Sequence, residues 1–109
     1  MTKKLHIDTL CVQAGYNPTK GEPRQVPIIQ STTFKYDTSE QMGKLFDLEE
    51  NGYFYTRLQN PTNDTTAAQI AAMEGGVAAM LTSSGQAANF FACFNICQAG
   101  DHMITTTSI

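Results

Sequence analysis

Two short stretches carry the side chains best suited to holding a compact anion. In YFYTRLQNPT, residues 53–62, Tyr55 and Arg57 lie two positions apart. In an extended segment that spacing sends a phenol and a guanidinium to the same side of the backbone. In LTSSGQAA, residues 81–88, Ser83, Ser84, Gly85 and Gln86 stand where an apolar stretch gives way to a helical one. The first turn of a helix leaves N–H groups free and carries about half a positive charge. A serine there caps the turn and offers a hydroxyl, Gly85 lets a ligand approach the backbone, and the amides of Gly85 and Gln86 then point at one cluster of oxygens.

A phosphate monoester presents such a cluster, and the planar fork of arginine matches it. A hydrogen bond to a charged group contributes about 1.5–3 kcal/mol against about 1 for a neutral one, so arginine supplies the larger single share. The helix terminus adds up to about 2 kcal/mol when partly buried. Each stretch alone also has a plainer reading. Arg57 can pair with Glu49 or Glu50 at the surface beside a packed tyrosine, and Ser83 or Ser84 can be no more than an N-cap. There is no G-x-x-x-x-G-K and no G-x-G-x-x-G, and the G-x-S-x-G elbow lacks its first glycine.

The elements that would position these residues can be read along the chain. Residues 1–38 show no sustained apolar period and contain Pro18, Pro23 and Pro27, which predicts an extended arm with a short β-favouring stretch at QVPIIQSTTFKY. Ser39 is placed to cap a helix through about Leu48, ended by Asn51-Gly52. Asn60 precedes a proline and is pushed from the α region, so residues 57–61 are expected to form a fixed bend rather than a free helix start. Thr62 or Asp64 then caps a helix with Ala67, Ile70, Ala71 and Glu74 on one side, ended by Gly75-Gly76. Residues 77–82, VAAMLT, read as a buried strand, and SSGQAANFFACFNIC as a helix apolar almost all round that needs a larger body to cover it. Gly100-Asp101 is expected to stop that helix, and HMITTT, from His102, is expected to be the next strand. Strand, helix and strand make a right-handed βαβ unit with parallel strands, so the class is α/β. Two strands cannot cover such a helix, and the chain is expected to be the amino-terminal portion of a larger α/β protein.

Composition limits what else the chain can be. Its 109 residues are 41% hydrophobic and 16% charged, ordinary for a globular protein, and no apolar run is long enough to span a membrane. The formal net charge is −3 with no basic cluster, so the electrostatic footprint of a nucleic-acid binder is missing. MTKKLHIDTL does not read as a secretory signal, which makes a cytoplasmic location the expectation. Cys11, Cys93 and Cys97 cannot all pair within the chain. Cys93 and Cys97 lie four apart on the predicted helix, but His6 and His102 are not at zinc-finger spacing, so packed thiols are favoured over a metal site.

GYFYTRLQNPT, MEGGVAAML, SSGQAANFF and AGDHMI, in this order, resemble the amino-terminal quarter of the pyridoxal-phosphate enzymes of cysteine and methionine metabolism. The arm GEPRQVPIIQSTTFKYDTSEQMGKLFDLE is most similar to the O-acetylhomoserine sulfhydrylase branch. The resemblance covers essentially the whole chain and implies the amino-terminal part of a fold-type I transferase. Residues 1–60 would be an arm clasping a neighbouring subunit, and residues 61–109 the start of a three-layer α/β/α cofactor domain. It implies that Ser84, Gly85 and Gln86 hold the phosphate of pyridoxal 5'-phosphate. Tyr55 and Arg57 would reach that phosphate from the neighbouring subunit of a homodimer or homotetramer.

The implied reaction is γ-replacement, in which O-acetyl-L-homoserine and sulfide or a thiol give homocysteine or methionine plus acetate. A methionine γ-lyase or a cystathionine γ-synthase or lyase would share every one of these residues. The family's cofactor-anchoring lysine belongs beyond Ile109, and none of Lys3, Lys4, Lys20, Lys35 or Lys44 sits in a matching motif. These 109 residues alone are therefore expected to hold no catalytic residue, and an assembly piece without catalysis is a further reading. Gln13 stands where many relatives have histidine.

Overall fold

The structure is a computed structural model and describes residues 5–108. Four helices follow one another: α1 (Ile7–Gln13), α2 (Ser39–Phe46), α3 (Pro61–Glu74) and α4 (Gly85–Ile96).

Helix α1 lies in the stretch predicted to be extended. His6 caps it by accepting from the Asp8 N–H, a signal too short to register against the polar run around it. Its stability comes from docking on α3. Gln69 of α3 donates to the Leu10 carbonyl at 3.5 Å and also to that of Cys11, and the Cys11 thiol meets the Met73 sulfur at 3.3 Å. Gly15 makes this approach possible: its φ is +81°, and a Cβ there would lie 2.5 Å from the Thr65 carbonyl oxygen and 2.7 Å from the Gln69 nitrogen. Both facts select glycine.

Helix α2 begins one residue earlier in its capping than expected, because Thr38 rather than Ser39 accepts the Gln41 N–H at 3.1 Å. It ends at Phe46, and Leu48 turns the chain with φ 59°, a left-handed conformation that leucine rarely adopts. The expected bend at Asn60-Pro61 and the start of α3 are one feature. Asn60 is extended at φ −147°, ψ 133° and caps α3, while Pro61 occupies the first turn, where its missing N–H costs nothing. Thr62 and Asp64 are thus inside the helix. Gly75 ends it with φ 69°, as its position predicts.

The core among the described residues is small: Leu45, Phe54, Ala67 and Ala71 are the buried apolar side chains. None comes from residues 5–37. Leu45 and Phe54 fall within residues 1–60, so that stretch contributes packing. The rings of Phe46 and Phe54 meet at 4.6 Å between centroids, and those of Phe34 and Tyr53 at 5.6 Å. Ala67 and Ala71, four apart on α3, are small enough for close approach.

The two predicted strands are not paired. Among the described residues the one β-bridge is antiparallel, between Thr33 and Tyr55, and neither 77–82 nor 102–107 joins a ladder. The right-handed parallel βαβ unit is therefore not closed within these residues. A strand exists only through its neighbour's hydrogen bonds, and no neighbour is at hand for either stretch. Val77 and Ile104 are fully exposed. The same holds for α4, expected to be buried: it has no buried residue, and Phe90, Phe91, Phe94 and Ile96 are exposed. It ends at Ile96, ahead of Gly100, because Cys97 is already extended at φ −114°, ψ 133°. Gly100, with φ 100°, instead serves the turn in which the Asp101 N–H donates to the Gln98 carbonyl.

Candidate cofactor phosphate site

The start of α4 has the geometry of an anion cradle. Ser84 is extended at φ −163°, ψ 161°, and its hydroxyl oxygen accepts the Ala87 N–H at 3.1 Å. Its own O–H hydrogen stays available to donate. Thr82 steadies the turn from the other side, donating to the Ser84 carbonyl at 2.9 Å. Ser83, the alternative cap, does not fill that role. The N–H groups of Gly85 and Gln86 have no acceptor among the described residues. Those two amides, the Ser84 hydroxyl and the positive end of a 12-residue helix are the donor set that a phosphate requires.

Gly85 sharpens this. Its φ is not in the left-handed region, and a Cβ there would meet nothing within 4 Å. Neither backbone conformation nor packing among the described residues accounts for glycine at this position. The open space beside it is what a ligand seated against the backbone would use, so the residues present fit a phosphate group.

Tyr55 and Arg57 do converge, but not by strand alternation. The chain turns here: the Leu58 and Gln59 N–H groups both donate to the Tyr55 carbonyl, at 3.0 and 3.1 Å. The Arg57 guanidinium carbon sits 5.1 Å from the centroid of the Tyr55 ring, a stacked cation–π contact. Arg57 is exposed and makes no ion pair among the described residues; Glu50 is taken by Lys44 at 3.0 Å. No hydrogen bond or ion pair joins Arg57 to Ser84, Gly85 or Gln86 within the one chain. Sequence reasoning missed Asn60 as more than a residue before proline. The signal was present, since Asn-Pro is also the pair preferred at N-cap and N1.

A helix start with free amides and an arginine on a separate, tightly turned segment are two sets of donors of the kind that hold a compact anion. The chain belongs to the Cys/Met metabolism PLP-dependent enzyme family, whose model matches residues 8–109. It is 41% identical over 109 residues to the O-acetyl-L-homoserine sulfhydrylase 1 of Thermus thermophilus, covering 96% of this chain and 25% of that protein. It is 42% identical over 108 residues to the L-methionine gamma-lyase of Fusobacterium nucleatum, covering 99% of this chain and 27% of that one. A solved Campylobacter jejuni structure, described as an O-acetylhomoserine (thiol)-lyase with N'-pyridoxyl-lysine-5'-monophosphate, superimposes with a TM-score of 0.80 at 35% identity. That match covers 89% of this chain and 23% of the other. The chain thus spans about a quarter of the length of the relatives it matches. Its fold class is the amino-terminal part of a fold-type I pyridoxal-phosphate enzyme. No helix among the described residues is long and apolar enough to cross a membrane.

Proposed function

We propose that this chain supplies the phosphate-binding half-sites of a pyridoxal-phosphate-dependent γ-replacement enzyme. The enzyme converts O-acetyl-L-homoserine and sulfide or a thiol into homocysteine or methionine plus acetate. The observation that carries this is the donor set at the start of α4, with two unpartnered amides, the Ser84 hydroxyl and open space over Gly85, in a chain of this family. Bound pyridoxal phosphate supplies the electron sink for removal of the substrate's α-proton and expulsion of acetate. Ser84, Gly85 and Gln86 hold its phosphate by hydrogen bonds, and the helix terminus favours the dianion.

Tyr55 and Arg57 reach the same phosphate from the neighbouring subunit. Residues 1–60 then act as a subunit clasp and residues 61–109 as the start of the cofactor domain. The site is complete only in a homodimer or homotetramer, in the cytoplasm. The Tyr55 ring, 5.1 Å from the Arg57 guanidinium carbon, supports the guanidinium through a cation–π contact, and the guanidinium N–H groups are the donors proposed for the phosphate.

In the complete enzyme carrying this sequence, Arg57→Ala loses the visible absorbance of bound cofactor while remaining dimeric on gel filtration. Unchanged absorbance would count against the assignment of Arg57. The similarity to a methionine gamma-lyase favours one second reading, elimination from methionine. Sulfide-dependent acetate release from O-acetylhomoserine supports replacement; α-keto acid release from methionine supports elimination.

A further inference from the structure

We infer that Asn60, working with Thr56, is a positioning residue that presents the Tyr55–Arg57 turn to the cofactor phosphate. This rests on reading Arg57 as a phosphate ligand. Asn60 is 4% exposed and is the buried polar residue of the described chain. As an N-cap it needs only its side-chain oxygen, which accepts the Thr62 N–H at 2.9 Å. Serine, threonine or aspartate would do that as well.

The other half of the amide explains why asparagine stands here. Its nitrogen donates to the Ile29 carbonyl at 3.0 Å and to the Thr56 hydroxyl oxygen at 3.1 Å. Aspartate would turn an oxygen toward those two acceptors, and serine would not reach both.

The bonds form a closed set around Arg57. Thr56, the residue just before it, passes its hydroxyl hydrogen to the Ser31 carbonyl and donates its N–H to the Thr32 carbonyl at 2.9 Å. Thr62, beyond Asn60, accepts the Ile29 N–H at 2.9 Å and donates to the Pro27 carbonyl at 3.1 Å. Both flanks of the turn are therefore fastened to one strip of backbone, residues 27–33, and Asn60 ties the flanks to each other. Arg57 itself is exposed, with the Tyr55 ring as its stacking partner. A long side chain with so little to hold it reaches a defined point only if its backbone is fixed, and the Asn60–Thr56 clamp fixes it.

The test uses the complete enzyme, stripped of cofactor, with titrations of pyridoxal phosphate and of pyridoxal, which lacks the phosphate. Asn60→Ser keeps the cap and loses both donated bonds; Thr56→Val keeps shape and backbone and loses the hydroxyl. Each is expected to weaken pyridoxal phosphate about tenfold, the scale of one misdirected charged hydrogen bond. Each is expected to leave pyridoxal affinity unchanged and to add nothing in an Arg57→Ala background. Equal loss for both ligands, or losses that multiply with Arg57→Ala, would reduce the clamp to a stability element and overturn the inference. Wild-type affinity in both variants beside a loss in Arg57→Ala would overturn it while leaving the phosphate reading intact. No loss in Arg57→Ala would bring down that reading and the inference with it. Thr56→Val keeps the experiment decisive should Asn60→Ser fold poorly.

Discussion

Residues 27–74 and residues 77–108 are built on opposite terms. The first region holds the buried apolar side chains, the buried Asn60 with both ends of its side-chain amide bonded, and the docking partner of α1, although Ile28, Phe46, Leu48 and Leu58 stay exposed. The second holds an anion cradle with free donors, two unpaired β-favouring stretches and a helix with phenylalanines facing outward. A region can be locally well formed, with a sound cap and a regular helix, and still have its packing demands unmet. Conversely, a segment rich in polar residues and prolines can be firmly placed when hydrogen bonds substitute for apolar burial.

The strongest test of this contrast is a pair of truncations in the 109-residue chain. Leu45→Ala is expected to cost about 2–5 kcal/mol in urea unfolding, since Leu45 is 5% exposed. Phe94→Ser, at a side chain 69% exposed, is expected to change stability by no more than about 0.5 kcal/mol. Similar costs at both sites would erase the distinction between the regions.

Two glycines sharpen it. Gly15→Ala combines a left-handed φ with a clash against α3 backbone and is expected to cost about 2–4 kcal/mol, read as a lower unfolding midpoint. Gly85→Ala meets open space and a helical backbone, so it is expected to gain stability by at most about 1 kcal/mol. In the complete enzyme the same methyl group is expected to weaken pyridoxal phosphate binding. Unimpaired binding would return Gly85 to an ordinary helix start.

The smallest effect concerns the seam between the aromatic segment and α3. Burial, and then the neighbouring Asp64 carboxylate, push the Tyr53 phenol above its ordinary value. The folded chain then keeps this proton where the unfolded chain, at about pH 10, has begun to lose it. Tyr53 therefore supports the fold below that pH and withdraws support as pH rises through its folded-state value. Tyr53→Phe is expected to flatten the alkaline fall in stability; an unchanged slope in the urea midpoint above pH 10 would remove Tyr53 from the account.

Helices α2, α3 and α4 were legible because their signals are local. A serine before Gly85 and a glycine pair after Glu74 act within a turn of where they stand, and the α2 cap was read one residue late, at Ser39 instead of Thr38. The boundaries drifted where two local readings competed. Asn60-Pro61 was read as a fixed bend, with the cap of α3 placed later at Thr62 or Asp64, and the structure makes the bend itself the start of α3. Helix α1 was hidden because its support lies on Gln69 and Met73, more than fifty residues away.

The candidate site divides in the same way. The residue types at Ser84, Gly85 and Gln86 and the pairing of Tyr55 with Arg57 could be named from the chain alone, as could the likeness to the Cys/Met metabolism enzymes, because chemistry and motif spacing are written in one dimension. That Arg57 stacks on Tyr55 through a turn, that Asn60 fastens that turn to residues 27–33, and that residues 77–82 and 102–107 form no ladder among the described residues were settled only by the tertiary structure. Hydrogen bonds between distant backbone strips depend on which surfaces meet, and a linear order of side chains does not specify that meeting.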